Sequence, residues 1–144
     1  MEHRRTLMMA IGRPRRAWMN HTKSVAHSIG IPESYRVVIS YLARSPGANQ
    51  RMIAEFSNVT TSAINQTVKN MIAEGYVQKE TDGCDRRNTK LFLTEKGENV
   101  ALLLRERLHK SDEVITALIT PEKEAEIIAV LDRIYDCLQE ESTC

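Results

Sequence analysis

The sequence predicts a mainly α-helical fold carrying one small β-hairpin. Three observations lead there. Apolar residues recur at three- and four-residue spacing through six separate stretches. Caps, prolines and glycines stand where those stretches begin and end. Only two short segments, YVQKE (76–80) and TKLFL (89–93), alternate with a period of two, and the eight residues TDGCDRRN separate them.

The first helix is expected from Pro14 to about Ile29, with Trp18, Thr22, Val25 and Ile29 along one face. Proline suits a first turn, where its missing N–H is not needed, and Gly30 and Pro32 end the helix. A second helix runs from about Glu33 to Arg44, with Tyr35, Val38, Ile39 and Leu42 on one side. SPGAN (45–49) turns the chain into a short third helix, Gln50 to about Ser57, which carries Met52, Ile53 and Phe56. In the link SNVTT, Asn58 is a residue type that tolerates left-handed backbone. Thr60 then caps a fourth helix, about Thr61 to Glu74. Ile64, Val68, Met71 and Ile72 make its apolar face, and Thr61, Ser62, Asn65, Gln66 and Lys69 fall on or near the other. Gly75 is the stop.

A two-stranded hairpin is not stable alone and must lean on the helix before it. Thr94 caps a long fifth helix with Val100, Leu103, Leu104, Leu108, Ile115 and Leu118 as its apolar residues. TPEKE (120–124) starts the last helix with a Thr cap, a first-turn Pro and acids at the positive dipole end. That helix, to about Glu140, shows Ile127, Ile128, Leu131, Ile134, Tyr135 and Leu138.

The 144 residues suit one domain, or a core plus an oligomerisation element. No apolar run approaches the ~20 residues that span a bilayer, so no membrane partner is expected. Glu2, His3, Arg4 and Arg5 precede a short apolar stretch that ends at RPRR, which is not a secretory signal. Cys84, Cys137 and Cys144 are odd in number, scattered and without a CxxC pair, which fits a reduced cytoplasmic protein. Charge is uneven along the chain. Residues 1–24 carry six Lys/Arg against one acid, 25–97 nine against seven, and 98–144 five against eleven. The acidic last third is a poor match for a phosphate backbone, which leaves the front and middle for a polyanion.

Two helices joined by a tight turn and followed by a hairpin make a winged helix–turn–helix, whose second helix is shaped for a DNA major groove. Thr61, Ser62, Asn65 and Gln66 can donate and accept at base edges, and Asn or Gln can bridge adenine. Thr60, Thr61 and the helix N-terminus can hold a phosphate. The bland alternative is that any exposed helix face is polar. In the hairpin, Arg86 and Arg87 cannot be core residues, and Lys90 follows on the returning strand. Arginine suits the negative potential of a narrow minor groove. Asp85, two residues before Arg87, can hold the guanidinium extended. Here the alternative is an ordinary solvated turn.

The run Asp85-Arg86-Arg87-Asn88-Thr89-Lys90-Leu91-Phe92-Leu93-Thr94-Glu95-Lys96-Gly97 closely resembles the wing signature of MarR-family transcriptional regulators, Asp-x-Arg followed by Leu-Thr-x-x-Gly. The similarity extends over most of the chain. Ile31–Leu42 resembles the family's second helix, Met52–Tyr76 its helix–turn–helix, and TPEKEAEIIAVLDRIYDCL its closing helix. The resemblance implies a homodimer with each winged helix on one half of a pseudopalindromic double-stranded DNA operator. It places Arg87 as the wing arginine in the minor groove and Asp85 as its orienting acid. Asn58 departs from the Gly of many members, though the turn chemistry still works. The resemblance also implies release of DNA by a small aromatic effector; Trp18, His21 and Tyr35 could line its pocket, and are equally plausible as core.

A second copy is expected on physical grounds too. The first helix and the last two carry apolar stripes that the winged helix has little area to cover, and closed twofold symmetry is the default. The organisation expected is an N-terminal arm and dimerisation helix (1–32), a winged helix–turn–helix (33–97) and C-terminal dimerisation helices (98–144). His3, His21, His27 and His109 assemble no metal-ligand spacing, so no metal or other cofactor is expected. Cys84 stands beside Arg86 and Arg87, which can lower a thiol pKa, though a plain surface thiol is the favoured reading. No nucleophile–base pair or phosphate loop is present, and an enzyme is not expected. Three readings remain: a DNA-binding repressor or activator, a winged helix used for protein–protein contact, and a small-ligand binder whose DNA role is secondary; a redox- or metal-responsive regulator is a further alternative.

Overall fold

The computed structural model describes residues 5–81 and 88–142. His3, Cys84, Asp85, Arg86, Arg87 and Cys144 lie outside the described residues. Among those described, six helices and one antiparallel hairpin follow in the order α1 (Leu7–Ile29), α2 (Glu33–Arg44), α3 (Gln50–Ser57), α4 (Thr61–Ala73), β1 (Val77–Thr81), β2 (Thr89–Leu93), α5 (Glu95–Thr116) and α6 (Pro121–Ser142). The fold is mainly α with a small β wing, as the sequence predicts.

The first helix departs from expectation. It begins at Leu7, and Pro14 lies inside it rather than in its first turn. Thr6 caps it, its Oγ1 accepting from the Met9 N–H at 3.3 Å. The proline forfeits one backbone bond, and the capped run Leu7–Ala10, all strong or adequate helix formers, carries the helix through it. At the other end Gly30 adopts φ 84°, and its N–H reaches the carbonyls of Ala26 and His27.

The chain divides into two compact units, Met1–Arg107 and Leu108–Cys144. In the first, the apolar stripes of α1, α2, α3 and α4 converge on one core that includes Ala26, Val38, Ile39, Leu42, Ile53 and Met71. The hairpin seals it through Val77 and Leu91. Val77 pairs with Leu93 and Thr81 with Thr89, so the first strand starts one residue later than the sequence indicates. Leu104 is 2% exposed in the single chain. This corrects its assignment to a dimer seam: it is a core residue.

Two anchors hold the wing, and only one was foreshadowed. The Gly47 N–H donates to the Leu91 carbonyl at 2.8 Å, and the Leu91 N–H to the Ala48 carbonyl at 3.0 Å. The SPGAN turn therefore extends the ladder of β2. Gly47 sits at φ 84° with the Phe92 ring against it, a conformation glycine adopts freely. The second anchor is Thr94. Its N–H donates to the Tyr76 carbonyl at 3.0 Å and its hydroxyl to the Gly75 carbonyl at 2.5 Å, while its Oγ1 accepts from the Gly97 N–H at 3.2 Å. One residue thus caps α5 and ties it to the end of α4. Lys96 adds to the tie, with Nζ donating to the Glu74 carbonyl at 2.8 Å and lying 4.1 Å from the centre of the Tyr76 ring.

Tyr35 belongs to the same junction. Its ring meets that of Tyr76 edge-on at 5.6 Å, and its hydroxyl donates to Glu74 Oε1 at 2.7 Å. Burial, then the hydrogen bond to the Glu74 carboxylate, pushes its pKa up to about 12. A raised folded pKa favours the neutral phenol, so this stabilisation is complete below pH ~10 and is lost as pH rises toward ~12. Tyr35→Phe should cost about 1 kcal/mol at neutral pH and flatten the fall in stability across that window. Urea unfolding at pH 8 and pH 11 measures both; identical pH slopes for the two proteins would contradict the assignment.

In the second unit the Thr120 hydroxyl caps α6, accepting from the Lys123 N–H at 3.3 Å. α6 is 22 residues long and buries none of them. Val130, Arg133, Ile134, Cys137 and Leu138 line an open, mostly apolar groove along it.

Candidate nucleic-acid interface

The helix–turn–helix is set by two caps and one left-handed residue. Asn49 Oδ1 accepts from the Met52 N–H at 2.9 Å and starts α3. Asn58 ends it at φ 54°, ψ 39°, with its N–H on the Ala54 carbonyl. It is the one non-glycine with positive φ among the described residues, so the side chain here replaces glycine without altering the turn. Thr60 then starts α4, its Oγ1 accepting from the Ala63 N–H at 3.2 Å.

Ile64, Val68 and Met71 of α4 are buried, which turns the opposite face outward. Thr61, Ser62, Gln66 and Lys69 are exposed along it and Asn65 is half-buried at its edge. The first N–H groups of α4, from Thr61 and Ser62, point out of the same end, where a helix leaves donors unpaired. A cleft of about 330 Å³ adjoins them, lined by Ala54, Glu55, Asn58, Val59, Thr60 and Thr61. Glu55 holds the exposed Arg51 by an ion pair of 2.9 Å.

Lys90 is exposed on β2 opposite Glu80, a cross-strand pair of opposite charge. Asp85, Arg86 and Arg87, the wing residues singled out above, lie outside the described residues. Sequence reasoning passed over Asn70. The Gln66 amide donates to Asn70 Oδ1 at 3.1 Å, joining two exposed side chains four residues apart. The i,i+4 spacing of Gln and Asn was the available signal.

The three candidate effector residues separate into two groups. The Trp18 and His21 rings lie 5.9 Å apart on α1, tilted at 44° to one another, Trp18 half-buried and His21 exposed. Tyr35 is buried, and its ring and hydroxyl are engaged by Tyr76 and Glu74. Tyr35 therefore has a structural role of its own.

A family model described as MarR family matches residues 29–88, from the end of α1 through the hairpin connection. Over that stretch the chain is similar to the MarR family. An uncharacterized HTH-type transcriptional regulator of Bacillus subtilis (strain 168), YybA, is 35% identical to this chain over 97 residues; the match spans 65% of the chain and 65% of that protein's length. A MarR-family protein from Listeria monocytogenes, solved in complex with 26mer DNA, shares the fold with a TM-score of 0.84 at 16% identity, covering 94% of this chain and 91% of that one. The Mycobacterium tuberculosis MarR family protein Rv2887, solved with salicylic acid, has a TM-score of 0.69 at 19% identity, covering 93% and 99%. Among the described residues no helix is long and apolar enough to cross a membrane.

Proposed function

We propose that this protein is a sequence-specific DNA-binding transcriptional regulator of the MarR family, a homodimer that places one α4 in each half of a pseudopalindromic operator. The observation that carries the reading is the outward face of α4, where Thr61, Ser62, Gln66 and Lys69 are exposed and Thr60 caps the helix start. The Listeria relative complexed with DNA supports the same use of the fold. A second copy answers the exposure of α6, whose apolar residues have no cover in the single chain.

Selection of duplexes from a random library at stated salt tests the function and reads out the operator. Two variants then separate the roles of wing and helix. Arg87→Ala should weaken binding to all sequences and make the salt dependence shallower, having removed about one backbone or minor-groove cation. Gln66→Ala should instead relax base preference at one position per half-site, worth about 1–3 kcal/mol against the wrong base. Equal losses on operator and random DNA for both variants would contradict this division.

Control by an aromatic acid is the remaining part of the proposal. It draws on the relative bound to salicylic acid and on the adjacent Trp18 and His21 rings. An effector must bind the DNA-free form more tightly than the DNA-competent one, since equal affinity shifts nothing. Salicylate titrated against the protein–operator complex at millimolar concentration should release DNA, and Trp18→Ala should weaken that response. Release undiminished in the variant would remove Trp18 from the pocket.

A further inference from the structure

The Gln66–Asn70 amide pair on the exposed face of α4 carries an inference beyond general DNA binding, and it rests on that reading. A glutamine amide has one carbonyl acceptor and two N–H donors. One Gln66 N–H is engaged by Asn70 Oδ1 at 3.1 Å. That bond restrains the amide and leaves the Oε1 acceptor and the second N–H of an exposed side chain available to a partner. Adenine presents the complement in the major groove, an N6–H donor beside the N7 acceptor. Guanine presents two acceptors there, N7 and O6, so the Gln66 carbonyl would oppose O6. We propose that Asn70 orients the Gln66 amide so that each α4 reads an adenine, with Gln66 touching the base and Asn70 acting as a positioning residue.

An exposed glutamine with no anchor samples several rotamers and both amide orientations, and ordering it on binding opposes affinity. The Asn70 contact is made before DNA arrives, which removes part of that opposition and excludes the orientation that would suit other bases. The effect is therefore on base discrimination rather than on attraction to the duplex.

The test uses the full-length protein and the operator selected from a random duplex library. The position whose preference disappears in Gln66→Ala is identified, and four duplexes differing only at that base pair are titrated. Wild type should prefer adenine by about fivefold to 150-fold. Asn70→Leu, which has no acceptor, should cut that ratio by about fivefold or more. Asn70→Asp offers only acceptors and so holds the same Gln66 orientation; it should weaken binding to all four duplexes through its charge yet retain the ratio. A preference for guanine at the Gln66 position would overturn the proposal, because it requires the pair in the reverse sense, with the Asn70 amide donating to Gln66. An unchanged ratio in Asn70→Leu, or an equal loss on all four duplexes, would also overturn it while leaving DNA binding intact. Failure of the wild type to enrich any sequence would instead remove the DNA-binding reading, and this inference with it.

Discussion

Leu104→Glu is expected to abolish the folded winged helix, whereas Leu131→Glu should leave it folded and change only its association. The two leucines look alike in the sequence, both on apolar stripes of the C-terminal helices. Leu104 is 2% exposed and Leu131 is 37% exposed in the single chain. A carboxylate replacing Leu104 would lie in the core without a partner, costing at least about 3 kcal/mol in addition to the lost apolar burial. Domains of this size are stable by only about 5–15 kcal/mol, so most of the margin goes. At Leu131 a carboxylate stays hydrated until a second copy covers it, so the penalty falls on dimerisation. Circular dichroism on heating and sedimentation velocity at micromolar concentration separate the two. A Leu104→Glu protein melting with the wild type would refute its core assignment. A wild type sedimenting as a monomer would end the dimer proposal, and with it the pseudopalindrome.

Gly97→Ala should be the most damaging glycine-to-alanine change among the described residues. A Cβ at Gly97 would run into the Tyr76 carbonyl oxygen and press on the Leu93 side chain at 3.2 Å. The oxygen is backbone and already accepts from the Thr94 N–H, so it cannot move without opening the link between α4, the hairpin and α5. Overpacking of this kind costs about 1–3 kcal/mol, and a hydrogen-bonded backbone oxygen on one side with the buried Leu93 side chain on the other places Gly97 at the upper end. Gly12 is the control. It lies inside α1 with nothing within 4 Å of its Cβ position, and Gly12→Ala should stabilise by about 0.5–1 kcal/mol through helix propensity alone. Chemical unfolding of the two variants should move the midpoint in opposite directions. Equal midpoints would remove the steric account of Gly97. The prediction gives the Leu-Thr-x-x-Gly part of the wing signature a structural reason: Thr94 and Gly97 join the wing to its neighbours and do not need to touch DNA.

The order and type of the elements were legible because each rests on neighbours in the chain. Asn49, Thr60, Thr94 and Thr120 are caps whose bonds reach only three residues along, so residue type and spacing suffice to place them. The outward face of α4 was legible for the same reason, since Ile64, Val68 and Met71 define the inward one. Pro14 misled because a proline at a helix start and a proline inside a longer capped helix look the same when only the following residues are weighed. The capping Thr6 was the decisive residue.

The sequence alone determined six helices, a hairpin, a residue at Asn58 suited to a left-handed turn and a polar outward face on α4, all of them products of local backbone chemistry and hydrophobic period. Tertiary structure decided which apolar residues are core and which are left uncovered, as with Leu104 and Leu131. It also decided that the α2–α3 turn pairs with Leu91, that Tyr35 bonds Glu74 39 residues away, and that Gly97 has no room for a side chain. Periodicity reports which face of an element is apolar. It carries no information on what packs against that face, because burial depends on groups brought together from distant parts of the chain.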